Sequence, residues 1–447
     1  MREHLISLLV CLGRHTVSNL AVTAGKADQD WACQYRLYSH ARFDPAVLFD
    51  TARATIEHSL SDDDPLIVSM DDSLMHKTGT KIPGVAYRRD PLGPKFQVNL
   101  IRGQRFLQLS AAFPFPDLPG VRLIPIDFQL IDSVNKPKHS ASMQQWAEYR
   151  RACSYHRVTA EGSRRIQALR QAMDENRRLW VVADGRFTNR VVLRDLPKDT
   201  VFIGRLREDA KLYFLPEEAQ NGRGRKRIYG DEAPTPEQIR VDETIPWLKV
   251  PAFATGKIHE FRVKVVKPLR WRSTSKEHDV QILVIAPLGY RPNQKSKILY
   301  RNPAYLICTD PSIAVEKVLQ AYLWRWDIEV NFRDEKSLLG LGQAQVRNPN
   351  SVHRAPALHV AAYALLLTAA QTTFGSHCPP GQLPSPKWHR NNRVRSSTQE
   401  IIRALRHDLW AQALSPNFSD FTSPSSPNMK SHKCIPDLKS ALFTAHL

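Results

Sequence analysis

The chain has 447 residues, 42% of them apolar, and Lys plus Arg exceed Asp plus Glu by 63 to 44, for a net charge of +19. The length allows two to four domains around large cores, and the charge surplus favours a polyanionic partner, nucleic acid ahead of an anionic membrane, with a merely basic surface as the plain alternative. Six widely spaced cysteines, with no C-x-x-C and no paired His spacing, argue against a zinc site or disulfide scaffold and fit a reducing cytoplasm.

The N-terminal MREHLISLLVCLGRH begins like a signal peptide. Arg14 and His15 interrupt it, and Leu5, Leu8, Leu9 and Leu12 recur at helical spacing, so an amphipathic helix is the better reading. Residues 1–60 read as helical throughout, with a clear helix after Asp44-Pro45, where Pro suits a first turn. PLIVSMDD (65–72) is then a buried-strand run ending in two acids. KFQVNLI and RFLQLSAAF flank Gly103 and predict a hairpin turning there. Residues 142–175 carry one long polar helix pattern, RLWVVADGR (178–186) a strand ending in Asp184, and DTVFIGRL (199–206) another strand. Strands mixed with helical crossovers indicate a mixed α/β sheet.

From 207 to about 300, short β-rich runs alternate with basic loops, NGRGRKR (221–227) being the most basic. YLICTD (305–310) reads as a strand, followed by a long helix from near Pro311 and a second helix over 353–374. The apolar run 357–370 is too short to span a bilayer and reads as a core helix. Beyond 376, Pro, Ser and Asn dominate around one basic helix candidate (398–410), and the last thirty-odd residues look disordered. These shifts divide the chain at 1–60, 61–206, 207–300, 301–375 and 376–447.

The stretch YLWRWDIEVNFRDEK (322–336) alternates as a half-buried strand would. Its apolar spacing extends back to Val315 at i, i+3, i+4 and i+7, and a strand of that length would be far too long, so helix is preferred. On a continuous helix, Tyr322, Arg325, Glu329, Arg333 and Lys336 share one face pointing away from solvent. Gln320, Asp327, Asn331 and Asp334 fall on the opposite, solvent-like face. Semi-buried charges are costly unless paired, metal-bound or facing a charged ligand. An Arg325–Glu329 ion pair is the plain explanation, and a carboxylate beside cations in an anion-binding cleft is the functional one. Glu329 gains possible companions in Asp72, beside Asp71, and Asp184, each at the end of an apolar strand.

Y-x2-R-x3-E-x6-K, with MDDS and VVADGR, resembles the YREK signature and Asp motifs of DDE transposases of the bacterial insertion-sequence-four superfamily, over residues 35–375. The resemblance implies an α/β, ribonuclease-H-like mixed sheet core interrupted by a β-rich insertion, with an N-terminal helical DNA-binding domain. It implies Asp72, Asp184 and Glu329 as catalytic metal ligands, with Asp72 chosen over Asp71 because it directly precedes Ser73. It also implies two Mg²⁺ or Mn²⁺ ions, which would serve hydrolysis at element ends and then strand transfer by the freed 3′-OH. Tyr322, Arg325, Arg333 and Lys336 would contact DNA, as would Arg223, Arg225, Lys226 and Arg227 of the basic loop. Trp271 could be a base-stacking platform, although core packing is the commoner role. The implied partners are double-stranded DNA and a second copy in a DNA-bound homodimer, with no membrane, in a bacterial cytoplasm beside the nucleoid. A two-metal nuclease without strand transfer and an inactive, DNA-binding derivative are the alternatives.

Overall fold

The computed structural model describes residues 1–410 except 29, 41, 80, 91, 92, 95, 116, 117, 217–226, 276, 277, 292, 294, 295, 376, 377 and 379–393. Arg223, Arg225, Lys226, positions 390–393 and the tail beyond 410 therefore lie outside the described residues.

Four helices open the chain: α1 (Arg2–Val10), α2 (Val17–Thr23), α3 (Ala32–Ser39) and α4 (Ala46–Ser59). The last begins where the Asp44 carboxylate accepts the Ala46 N–H at 3.0 Å. Strands β1 (Leu66–His76), β2 (Ala86–Arg89), β3 (Leu100–Phe115) and β4 (Leu118–Ile131) come next. Helices α5 (Met143–Tyr155) and α6 (Val158–Ala172) lead to β5 (Leu179–Ala183), α7 (Arg190–Leu193) and β6 (Thr200–Arg205). The following stretch holds β7 (Leu212–Tyr213), β8 (Glu232–Ala233), α8 (Pro236–Val241), β9 (Leu248–Ala254), β10 (Lys257–Trp271), β11 (Val280–Ile285), β12 (Gly289–Tyr290) and β13 (Leu299–Tyr300). Then come β14 (Ala304–Cys308), α9 (Val315–Trp324), α10 (Asp327–Ser337), α11 (Pro349–Phe374) and α12 (Thr398–Trp410).

Two compact units result: residues 49–331, and residues 1–48 together with 332 onward. The 49–331 unit is built on a mixed sheet in which β4, β3 and β1 run antiparallel in turn, and β1, β5 and β6 run parallel. The order β4-β3-β1-β5-β6, with helices in the crossovers, is consistent with a ribonuclease-H-like core. Beyond β6 the same sheet continues through β14, β11 and β10, so the strands from the 207–300 stretch extend it.

The two faces of this sheet are covered differently. Trp180, Val182, Val201, Ile203 and partly buried Ile67 pack with Val318, Leu319 and Ala321 of α9. On the other face, a Cβ added to Gly162 of α6 would lie 3.2 Å from both Met70 and Phe187. Successive residues of a strand point to opposite sides. Odd-numbered positions of β1 therefore face α9 and even-numbered ones face α6.

Three sequence expectations change here. Gly103 is not a turn: β3 runs straight through it, paired with His76 on one side and Ala86 on the other. A Cβ there would meet the Met75 carbonyl oxygen at 2.4 Å, so glycine marks a close backbone approach. The helix expected over 142–175 is two, split at His156 and Arg157. Only α6 buries a face against the sheet, through Gly162, Ile166 and Leu169, while α5 buries no residue. The continuous helix expected from Val315 to Lys336 breaks between α9 and α10 at Arg325 and Trp326.

In the other unit, α1 packs against α2, α11 and α12, and α3 packs against α11. α11 is long and apolar enough to cross a membrane by length and composition alone, yet it is mostly buried, as the core-helix reading expects. His4 is 2% exposed, with its two ring nitrogens against Gln34 and Tyr38. The fully buried Arg406 donates to the Cys11 carbonyl at 2.7 Å.

Candidate active site

The site begins with the parity of β1. Asp71, at an odd position, projects to the α9 side; Asp72 projects to the α6 side. Ile67 pairs in register with Trp180 and Ser69 with Val182 across the parallel β1–β5 ladder, and Asp184 follows β5 directly. Continuing that register brings Asp184, just past the carboxyl end of β5, beside Asp71, which lies mid-strand because β1 runs on to His76 rather than ending at the two acids.

Arg325 joins this pair to the helix. Its Nη1 lies 3.3 Å from Asp71 Oδ2 and its Nη2 4.0 Å from Glu329 Oε1, while the guanidinium stands 5.5 Å from the centre of the Tyr322 ring. Its buried Nε has no hydrogen-bond partner among the described residues. Burial, then the neighbouring Asp184 charge, push the Asp71 carboxyl up to about 7 against the opposing pull of Arg325. Burial also raises Glu329, with Arg325 opposing and Asp184 reinforcing. Asp184 accepts the Arg186 N–H at 2.9 Å, which fixes the turn that follows β5.

Asp72 has different company. Its carboxylate lies 3.2 Å from Arg105 and 3.2 Å from Arg186, and its side chain is 8% exposed. Burial raises its pKa; Arg186 and Arg105 draw it down, and the Asp184 charge adds to the rise. The structure thus places Asp71 beside Arg325 and Glu329, while the Asp184 charge acts on both Asp71 and Asp72. The signal was present in the sequence as the alternation from Ile67 onward, but using it requires knowing which face the helix covers.

The break at Arg325 and Trp326 also revises the helix faces. There the Trp326, Ile328 and Glu329 N–H groups donate three residues back, to Leu323, Arg325 and Trp326, which tightens the chain and resets the helical phase. Asn331 and Asp334, expected toward solvent, are 3% and 4% exposed; Asn331 donates to Ser110 and Asp334 accepts from Thr398. Conversely, Trp326 is 60% exposed, and the Glu329 side chain is 43% exposed rather than directed inward.

The remaining expected contacts are scattered. Arg333 is exposed and pairs with Asp334 at 2.9 Å, and the Lys336 ammonium stands 6.0 Å over the Phe332 ring. Trp271 packs against an apolar cluster with Leu212, Leu269 and Ile282, a core role. Arg227 pairs with Asp231 at 3.1 Å on the surface.

A family model described as DDE superfamily endonuclease matches residues 1–277. The chain belongs to that family. No curated protein matches this chain. Membership carries a DNA substrate and metal-dependent nuclease or transposase chemistry. DDE superfamily endonucleases generally use divalent metals. The chain offers all-oxygen donors for such an ion, and the raised Asp71 carboxyl is a buried acid that a cation would satisfy. Among the described residues, no three acidic, His or Cys side chains already converge as a metal cage. The donor types fit a hard cation.

Proposed function

We propose that this DDE family member is a transposase of the insertion-sequence-four superfamily, cutting DNA at element ends and transferring the freed 3′-OH to a target. The observation that carries this reading is the bridge from Asp71 through Arg325 to Glu329, on the sheet face that Asp184 shares. In this reading Asp71, Asp184 and Glu329 hold divalent metal, Mg²⁺ or Mn²⁺, with Asp71 taking the role that motif spacing suggested for Asp72. Bound there, metal would supply Lewis-acid stabilisation and an activated oxygen nucleophile at the phosphodiester.

The chain's own side chains bind and orient. Arg325 bridges Asp71 and Glu329 in the metal-free protein and screens their repulsion, a place that an arriving cation would take over. Tyr322 packs over that guanidinium and limits its rotation. Arg333 and Lys336, further along α10, would contact DNA phosphates, and the N-terminal helices would read the terminal repeats in a DNA-bound homodimer. Such a protein would work in the cytoplasm, beside the nucleoid.

The test uses the full chain, Mg²⁺, a labelled duplex made from the DNA flanking its reading frame, and a target plasmid. Nicks ending in 3′-OH followed by joined products are expected. Asp71→Asn, Asp184→Asn and Glu329→Gln should each abolish both steps while duplex binding survives. Cleavage without joining would reduce the function to a nuclease. Cleavage retained by Asp71→Asn but lost in Asp72→Asn would return the ligand role to Asp72.

A further inference from the structure

The α6 side of β1 holds a second charged cluster that the metal chemistry leaves unused. Arg105 from β3 and Arg186 from the turn after β5 both pair with Asp72 at 3.2 Å. Arg88 from the edge strand β2 also acts electrostatically on Asp72 and on Arg105. Three guanidiniums thus act on Asp72, and although the Asp184 charge also reaches it, cations outnumber acids there. Asp127, the acid on neighbouring β4, cannot neutralise that excess because Arg165 already engages both of its oxygens.

The donors are also under-used. Arg88 Nε and Nη2 are shielded from solvent and have no hydrogen-bond partner among the described residues. A buried donor left unpaired is costly, the more so when charged, so an arriving acceptor is favoured there. Burial holds Arg88 below the usual guanidinium range, and the charge of Arg105 adds to the effect. Exposure rises from 8% for the Asp72 side chain to 17% for Arg105 and 40% for Arg186, so the cluster opens outward along Arg186. Guanidinium forks match the paired oxygens of a phosphate, and a tetrahedral dianion or phosphodiester supplies the acceptors that a single carboxylate cannot.

We propose that Arg88, Arg105 and Arg186 form a phosphate-binding site for the DNA backbone on the face of β1 opposite the acidic group, with Asp72 holding the guanidiniums in place until DNA arrives. The proposal rests on the DNA-cutting function above for the identity of the phosphate, but not on which residues hold metal.

Divalent-free binding separates the two. A fluorescent duplex is titrated with the full chain in EDTA across a salt series, for the wild type, Arg88→Gln, Arg88→Lys and Asp72→Asn. Arg88→Gln should weaken binding about three- to tenfold at moderate salt and lower the slope of log K against log salt by about 0.9, the signature of one lost phosphate contact. Arg88→Lys should keep the slope and lose about half or more of the affinity, because charge remains but the fork is gone. Asp72→Asn should tighten binding, since the competing carboxylate becomes neutral. Unchanged affinity and slope in Arg88→Gln, with cleavage still abolished by Asp71→Asn, would overturn the phosphate site and leave the enzymatic reading standing. The reverse pattern would do the opposite. Should Arg88→Gln fail to fold, Arg88→Lys carries the test, and wild-type affinity in that variant would sink the proposal.

Discussion

Arg325 Nη1 lies 3.3 Å from Asp71 Oδ2, and this ion pair joins the helical segment to the central strand of the sheet. Its effect on Asp71 is incomplete, because burial and Asp184 still keep that carboxyl near 7. A cation placed there would finish what the guanidinium begins. Replacing Arg325 with Gln should therefore lower metal-free stability by about 1–3 kcal/mol, as a buried acid loses its partner. Added Mg²⁺ should raise the melting temperature more in this variant than in the wild type. A smaller rise would mean that Arg325 supports the metal rather than competing with it.

Asp71→Asn should have the opposite effect on metal-free stability. An acid whose folded pKa exceeds its unfolded one destabilises the fold as pH rises through that interval, here from about 3.8 to about 7. At pH 8 the amide should be more stable than the wild type in EDTA, with a margin on the order of a few kcal/mol. Chemical denaturation at pH 8 and pH 5 checks this, and the difference between the two proteins should shrink at the lower pH.

His4 supplies the contrary slope in the other unit. Burial pushes its imidazole down to about 4 from 6.5, with the Gln34 hydrogen bond opposing that shift, so the folded protein holds it neutral. Its contribution is complete above pH 6.5 and is lost as pH falls toward 4, a range worth about 3 kcal/mol. His4→Gln should flatten the wild-type decline in denaturation midpoint between pH 7 and pH 4.5. An unchanged decline would place the acid sensitivity elsewhere.

Gly103 tests the sheet itself. With the Met75 carbonyl oxygen 2.4 Å from the position of an added Cβ, Gly103→Ala must push β3 away from β1. A loss of about 2–4 kcal/mol is expected, together with reduced cleavage, because β1 carries both Asp71 and Asp72. Thermal denaturation and the cleavage assay read the two effects separately.

Much of this arrangement was visible in the residues. Apolar runs located β5, β6 and β14 closely and the start of β1, and the basic helix candidate at 398–410 is α12. Those elements announce themselves because burial on both faces, or on one helical stripe, demands continuous or periodic apolar chemistry. Gly103 was misread because a glycine that permits backbone contact looks identical to one that permits a turn. The faces of 322–336 were misassigned because two residues of tightened backbone at Arg325 and Trp326 rotate everything after them, and neither residue is a helix breaker. Motif spacing favours Asp72, but adjacent strand residues point oppositely, and only the packed helix shows which of the two acids stands beside Arg325.

The backbone of β1 is a partition one strand thick, with Asp71 on one side against Arg325 and Asp72 on the other against Arg105 and Arg186. Insertion or deletion of a single residue upstream of Asp71 within β1 would exchange the two sides, presenting the wrong acid to each. Gly103 locks the strand against that slip by fitting only opposite Met75 and His76. Polarity across this sheet is thus stored as alignment, and a frame error of one residue would invert it without altering a single functional side chain.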